Sequence, residues 1–128
     1  MQVKNNAANG NFYIQRVSDG TGVYIPFGGT SWSGVSDERL KTDLIEIENA
    51  IEKVLQLRTV IGRFKTDEVG KKRSFFIAQD MQKVFPEAVN IDEETKMLGI
   101  QYSDTNPLLA AAIKELKKEL DEIKLKIK

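Results

Sequence analysis

The chain has 128 residues and balances nineteen Lys and Arg against nineteen Asp and Glu, so its formal charge is zero and no basic excess favours a nucleic-acid partner. It contains neither cysteine nor histidine, which removes disulfides, thiol nucleophiles and the usual zinc ligands; no metal and no cofactor are expected. No apolar run approaches the ~20 residues of a membrane span and no signal-peptide pattern opens the chain, so the expectation is a soluble cytoplasmic product with no membrane partner.

Residues 1–35 are rich in Gly and Asn and almost free of carboxylates. Short apolar runs at Phe12-Tyr13-Ile14 and Val23-Tyr24-Ile25, separated by Asp19-Gly20-Thr21-Gly22, predict short strands joined by turns. A segment this small buries little surface by itself. It is expected to be the end of a longer β-structured stalk completed by other chains. Residues 28–34 read as a flexible approach to Ser36, and Gly28-Gly29 lacks the rest of a phosphate-binding loop.

Composition changes at Ser36-Asp37-Glu38-Arg39-Leu40-Lys41. A serine and a lysine can act as nucleophile and base without histidine, provided the amine is neutral; an ordinary lysine, near ~10.4, must be brought down by burial or a neighbouring cation. Arg39 is placed to supply that cation. The five-residue separation sets the two side chains about 140° apart on a helix and on opposite faces of a strand. The pair therefore needs an irregular segment or partners from different chains. Read without the chemistry, Ser36 is a cap or turn residue and Lys41 a solvated lysine.

Beyond the motif, Ala50, Ile51, Val54 and Leu55 share a helical face, residues 60–65 read as a strand leading to a turn at 66–72, and 74–77 as a second strand. A short helix runs through Val84 until Pro86 ends it. Residues 88–91 and 97–102 flank an acidic turn, as in a hairpin, which makes the domain α+β. Pro107 suits the first turn of a final helix. Along it Leu109, Ile113, Leu116, Leu120, Ile123 and Ile127 alternate spacings of four and three, a heptad seam among charges that predicts packing on other helices. The mix of Ile and Leu permits a trimer without choosing one.

Four blocks in order carry a resemblance: the S-D-x-R-x-K opening, residues 49–57, the F-I-A-Q-D block continuing to Val89, and Tyr102-Ser103 with Pro107-Leu108-Leu109. Together they resemble the C-terminal intramolecular chaperone auto-processing domain of phage tail spikes and fibres, the endosialidase type. The resemblance implies a domain at 36–128, a fibre end at 1–35, a homotrimer, and self-cleavage between Val35 and Ser36. It implies Ser36 as nucleophile and Lys41 as base, with Asp37, Arg39 and Gln79 in support. Its partners are then its own copies and the upstream fibre. It would be made in the host cytoplasm, its N-terminal part staying in the virion tail and its C-terminal domain leaving after the cut. Two other readings accompany it: a trimerisation cap that does not cut, and an acyl hydrolase, for which no nucleophile elbow is present. A related processing domain in membrane-bound eukaryotic transcription factors fits the Gly- and Asn-rich segment less well.

Overall fold

Loops of six residues cut the start of the chain into strands β1 (Gln2–Asn5), β2 (Phe12–Gln15), β3 (Gly22–Ile25) and β4 (Ser33–Gly34), the last after a longer connection. These form one antiparallel sheet in the order β1-β2-β3-β4 in the computed structural model, which describes residues 1–127. In the first two loops, the Asn6 and Arg16 carbonyls accept the N–H of Gly10 and Gly20 at 2.7 and 3.1 Å. Gly10 and Gly20 sit at φ of 75° and 73°, where a Cβ would be strained. Strands β2 and β3 match the expected runs. Strand β1 was not legible because Gln-Val-Lys-Asn has no apolar run, and β4 corrects the expectation of a flexible approach: backbone pairing to Val23 and Tyr24 recruits Ser33 and Gly34. No residue up to 45 is buried.

The chain divides into two compact units, Met1–Ile45 and Glu46–Lys128. The second unit holds the buried core: Ala50, Leu57, Met81, Phe85, Ala88, Leu108 and Ala112. Helix α1 (Ala50–Leu55) turns Ala50, Ile51 and Val54 inward, but Leu55 is 78% exposed. The helix ends too soon to need it, and Leu57 enters the core instead after its N–H bonds the Val54 carbonyl. Strands β5 (Thr59–Gly62) and β6 (Arg73–Phe76) form a hairpin whose loop is tied by Asp67, which accepts the Phe64 N–H at 2.8 Å and the Arg73 fork at 2.7 and 2.8 Å.

Helix α2 (Ala78–Val84) buries Met81 and stops at Phe85, because Pro86 cannot continue it and opens a 3-10 turn over Pro86–Ala88. Its Asp80 grips Arg58 by the backbone N–H and both sides of the guanidinium at 2.9–3.1 Å, joining α2 to the approach to β5. Strands β7 (Val89–Ile91) and β8 (Leu98–Ile100) make the second hairpin, its turn organised by Asp92 accepting the N–H groups of Glu94 and Thr95.

Helix α3 (Tyr102–Ile127) starts five residues before Pro107, not at it. The early turn is held by tertiary contacts: Tyr102 stacks on Phe76 with centroids 6.2 Å apart, and Thr105, buried, donates its hydroxyl to the Tyr102 carbonyl at 2.7 Å. These tolerate the N–H that Pro107 lacks. Leu108, Ala111 and Ala112 pack α3 into the core of its own unit, a stripe beside the heptad seam that the heptad reading did not use. The seam itself is uncovered from Ile113 onward, and residues 116–127 are exposed throughout. The architecture is thus α+β with a long C-terminal helix.

Candidate catalytic site

The segment that carries Ser36 and Lys41 belongs to the first unit and is neither α-helix nor strand. Asp37 is extended at φ −66°, ψ 132°, Glu38–Leu40 form a single 3-10 turn, and Lys41 is extended again at φ −114°, ψ 152°. Asp37 builds the turn: its Oδ1 accepts the Arg39 N–H at 2.9 Å, while the Leu40 and Lys41 N–H groups reach the carbonyls of Asp37 and Glu38 at 3.1 and 3.0 Å. The reversal brings the lysine back on the serine. Lys41 Nζ donates to Ser36 Oγ at 2.6 Å, within one chain.

Asp37 also fixes Arg39. The guanidinium Nε and Nη2 reach Oδ1 and Oδ2 of Asp37 at 3.0 and 2.8 Å, a two-pronged pair with Arg39 almost wholly in solvent. The side chain and then the backbone N–H of Arg39 hold the Asp37 carboxyl below its ordinary pKa, and Asp37 raises that of Arg39. Much of the Arg39 charge is thereby matched by Asp37. Ser36 and Lys41 are both exposed.

The residue before Ser36 is anchored. Val35 donates its N–H to the Gly22 carbonyl at 3.3 Å, one step beyond the pairing of Gly34 with Val23. The Val35 carbonyl is therefore the first group past the last bond of the sheet. Gln79 lies in the second unit, on the first turn of α2. Sequence reasoning missed the Gly22 carbonyl, whereas the capping by Asp37 is one of the ordinary roles, pairing or capping, that an Asp before a short polar turn allows.

Residues 36–90 match the family described as chaperone of endosialidase, the match beginning at Ser36. Relatives of the chain are phage proteins. The long tail fiber protein Gp37 of Enterobacteria phage Ox2 is 40% identical over 116 residues, 83% of this chain and 45% of that protein. The protein of the same name from Enterobacteria phage M1 is 40% identical over 96 residues, 70% of this chain and 38% of its own length. That of Enterobacteria phage K3 is 31% identical over 125 residues, 93% of this chain but 9% of its own length. The chain spans less than half the length of these curated relatives.

Proposed function

We propose that this chain is the end of a phage tail fibre together with an intramolecular chaperone that trimerises and folds the fibre, then releases itself by cutting between Val35 and Ser36. The observation that carries the reading is the 2.6 Å approach of Lys41 Nζ to Ser36 Oγ, next to a peptide bond anchored by Val35. In the reaction, Lys41 as neutral amine takes the hydroxyl proton and Ser36 Oγ attacks the Val35 carbonyl carbon. The Val35–Ser36 C–N bond breaks, the leaving amine takes the proton back from Lys41, and an ester joins Val35 to Ser36 Oγ. Water hydrolyses the ester, leaving a Val35 carboxylate and a Ser36 N-terminus. Proximity within one chain supplies much of the rate.

Ser36 and Lys41 lie in solvent in the single chain, and in this reading the cut waits until assembly covers the site. Cleavage then reports completed folding. The fibre part stays in the tail and the released domain departs within the infected cell. The same solvent exposure favours a second reading, a permanent trimerisation cap that never cuts.

Intact mass analysis under denaturing conditions separates the two. The cutting chaperone yields species 1–35 and 36–128; the cap yields the full-length mass alone after prolonged incubation of assembled protein, and that result removes the protease assignment.

A further inference from the structure

Ser36 and Lys41 lie in the same compact unit as the sheet, Met1–Ile45. One backbone link ties the sheet to the bond they attack: the Val35 N–H donates to the Gly22 carbonyl at 3.3 Å. Val35 carries the carbonyl carbon that Ser36 Oγ approaches. Only its Cα separates the anchored nitrogen from that carbon, so fixing the N–H leaves little but the Val35 dihedrals to place it.

Gly22 sets this link because it is glycine. Strand β2 passes directly over it: a Cβ at 22 would fall on the Ile14 carbonyl oxygen and 2.6 Å from Gln15 Cα. Its φ of 152° is also one that L side chains rarely adopt. A residue without a side chain lets β3 lie this close to β2 while its carbonyl faces the end of β4.

The rest of β4 is held along the same edge. Gly34 is opposite Val23 and Ser33 opposite Tyr24, and the alternation of an antiparallel ladder makes Ser33 and Tyr24 the next bonded pair after Val35 and Gly22. The connection that leads to β4 is pinned near the start of β2. There the Phe27 N–H donates to Asn11 Oδ1 at 2.9 Å, and the Trp32 ring lies 6.2 Å from that of Phe12. The residue to be cut is the last rung of a ladder, not a point on a free linker.

We infer that Gly22 is a positioning residue for the cut: its carbonyl orients Val35 towards Ser36 Oγ, and the missing side chain is what permits this. The inference rests on the self-cleavage reading above. It adds that pairing of β4 on β3, besides assembly, sets the rate.

The test follows full-length assembled protein by time courses of intact mass and compares Gly22→Ala with Gly20→Ala. Gly20, at φ 73°, has nothing within 4 Å of a Cβ, so its alanine bears left-handed strain in the same unit without colliding with a strand. Gly22→Ala should cut about 10²-fold more slowly, the loss that a misplacement of ~1 Å brings, and Gly20→Ala at close to the wild-type rate. Trimethylamine N-oxide, added until Gly22→Ala matches the wild-type melting midpoint in Ser36→Ala backgrounds, should not restore the rate, whereas it would reverse a loss of stability alone. In Ser36→Ala protein the Val35 amide should exchange its hydrogen slowly, and Gly22→Ala should quicken it. Equal rates in wild type and Gly22→Ala, equal slowing by Gly20→Ala, or rescue by the osmolyte overturns the inference and leaves self-cleavage standing. A Val35 amide that exchanges as fast as in urea does the same. Wild-type protein that never cuts overturns both. If circular dichroism shows Gly22→Ala unfolded, Ser33→Pro takes its place with the same slowing expected, since it removes a β4 donor and leaves β1–β3 untouched.

Discussion

Lys41 reaches Ser36 because a 3-10 turn is tighter than an α-helix and Asp37 caps it. Removing either reacting group tests the chemistry directly. Ser36→Ala should leave only uncut chain, and Lys41→Ala should slow cutting by about 10²- to 10⁴-fold, the usual worth of a positioned base. Lys41→Arg should be equally inert, since a guanidinium does not become neutral. Time courses of intact mass decide it; cutting by Lys41→Ala at the wild-type rate would shift the mechanism to backbone strain acting on Ser36 alone. Asp37→Asn breaks the two-pronged grip on Arg39 but can keep the cap, so it should slow cutting less than Lys41→Ala does. The spacing of Ser36 and Lys41 by itself excluded a regular helix or strand, whereas the Val35 anchor on Gly22 depended on a two-residue strand with no hydrophobic pattern to announce it.

Among the elements, α1 shows how a distant side chain completes a local structure. Asn49, its capping position, is in the left-handed region and makes no side-chain cap bond. Glu115 on α3 takes over, accepting the N–H groups of Ala50 and Ile51 at 2.8 and 2.9 Å and satisfying two of the donors that a helix start leaves open. The Ile51 and Ala50 N–H groups hold its carboxyl below the ordinary 4.5, and Arg73, with the Phe64 N–H, holds Asp67 down to about 2. Both folded values lie below the unfolded ones, so the stabilisation is complete above the unfolded values and is lost as pH falls through the folded ones. Melting curves of Ser36→Ala protein should be flat near neutrality and decline below the ordinary carboxylate range, towards about pH 2. Glu115→Gln should melt lower at neutral pH and respond less to acid; an unchanged midpoint at neutral pH would remove the capping role.

For the whole molecule, α3 carries two apolar stripes side by side. Leu108 and Ala112 hold it in its own unit, while Leu116, Leu120, Ile123 and Ile127 face solvent in the single chain. Leu120, 47% exposed, therefore gives a sharp test. If the chain acts alone, Leu120→Asp is nearly silent; if the seam assembles, it buries an unpaired carboxylate and should dissociate the protein in sedimentation equilibrium. The dissociated protein, still folded by circular dichroism, should also fail to cut. Full-rate cutting by it would mean that assembly is no checkpoint. Met81→Ala tests the core instead: deleting a wholly buried side chain should cost about 2–5 kcal/mol in urea unfolding.

Local rules carry much of this protein without a fold. Pro86 ends α2, turn residues separate the strands, and the four-three spacing from Leu109 to Ile127 marks the seam, because each depends on neighbours within a few residues. The ordered blocks from Ser36 to Leu109 also pointed to the family without any geometry. Tertiary structure decided what depends on partners far along the chain. It started α3 at Tyr102 through Phe76, left Leu55 in solvent and drew in Leu57, assigned the cap of α1 to Glu115, and recruited Ser33 and Gly34 into a strand. In each case the local signal was weak or opposed, and burial or backbone pairing between distant residues outweighed it.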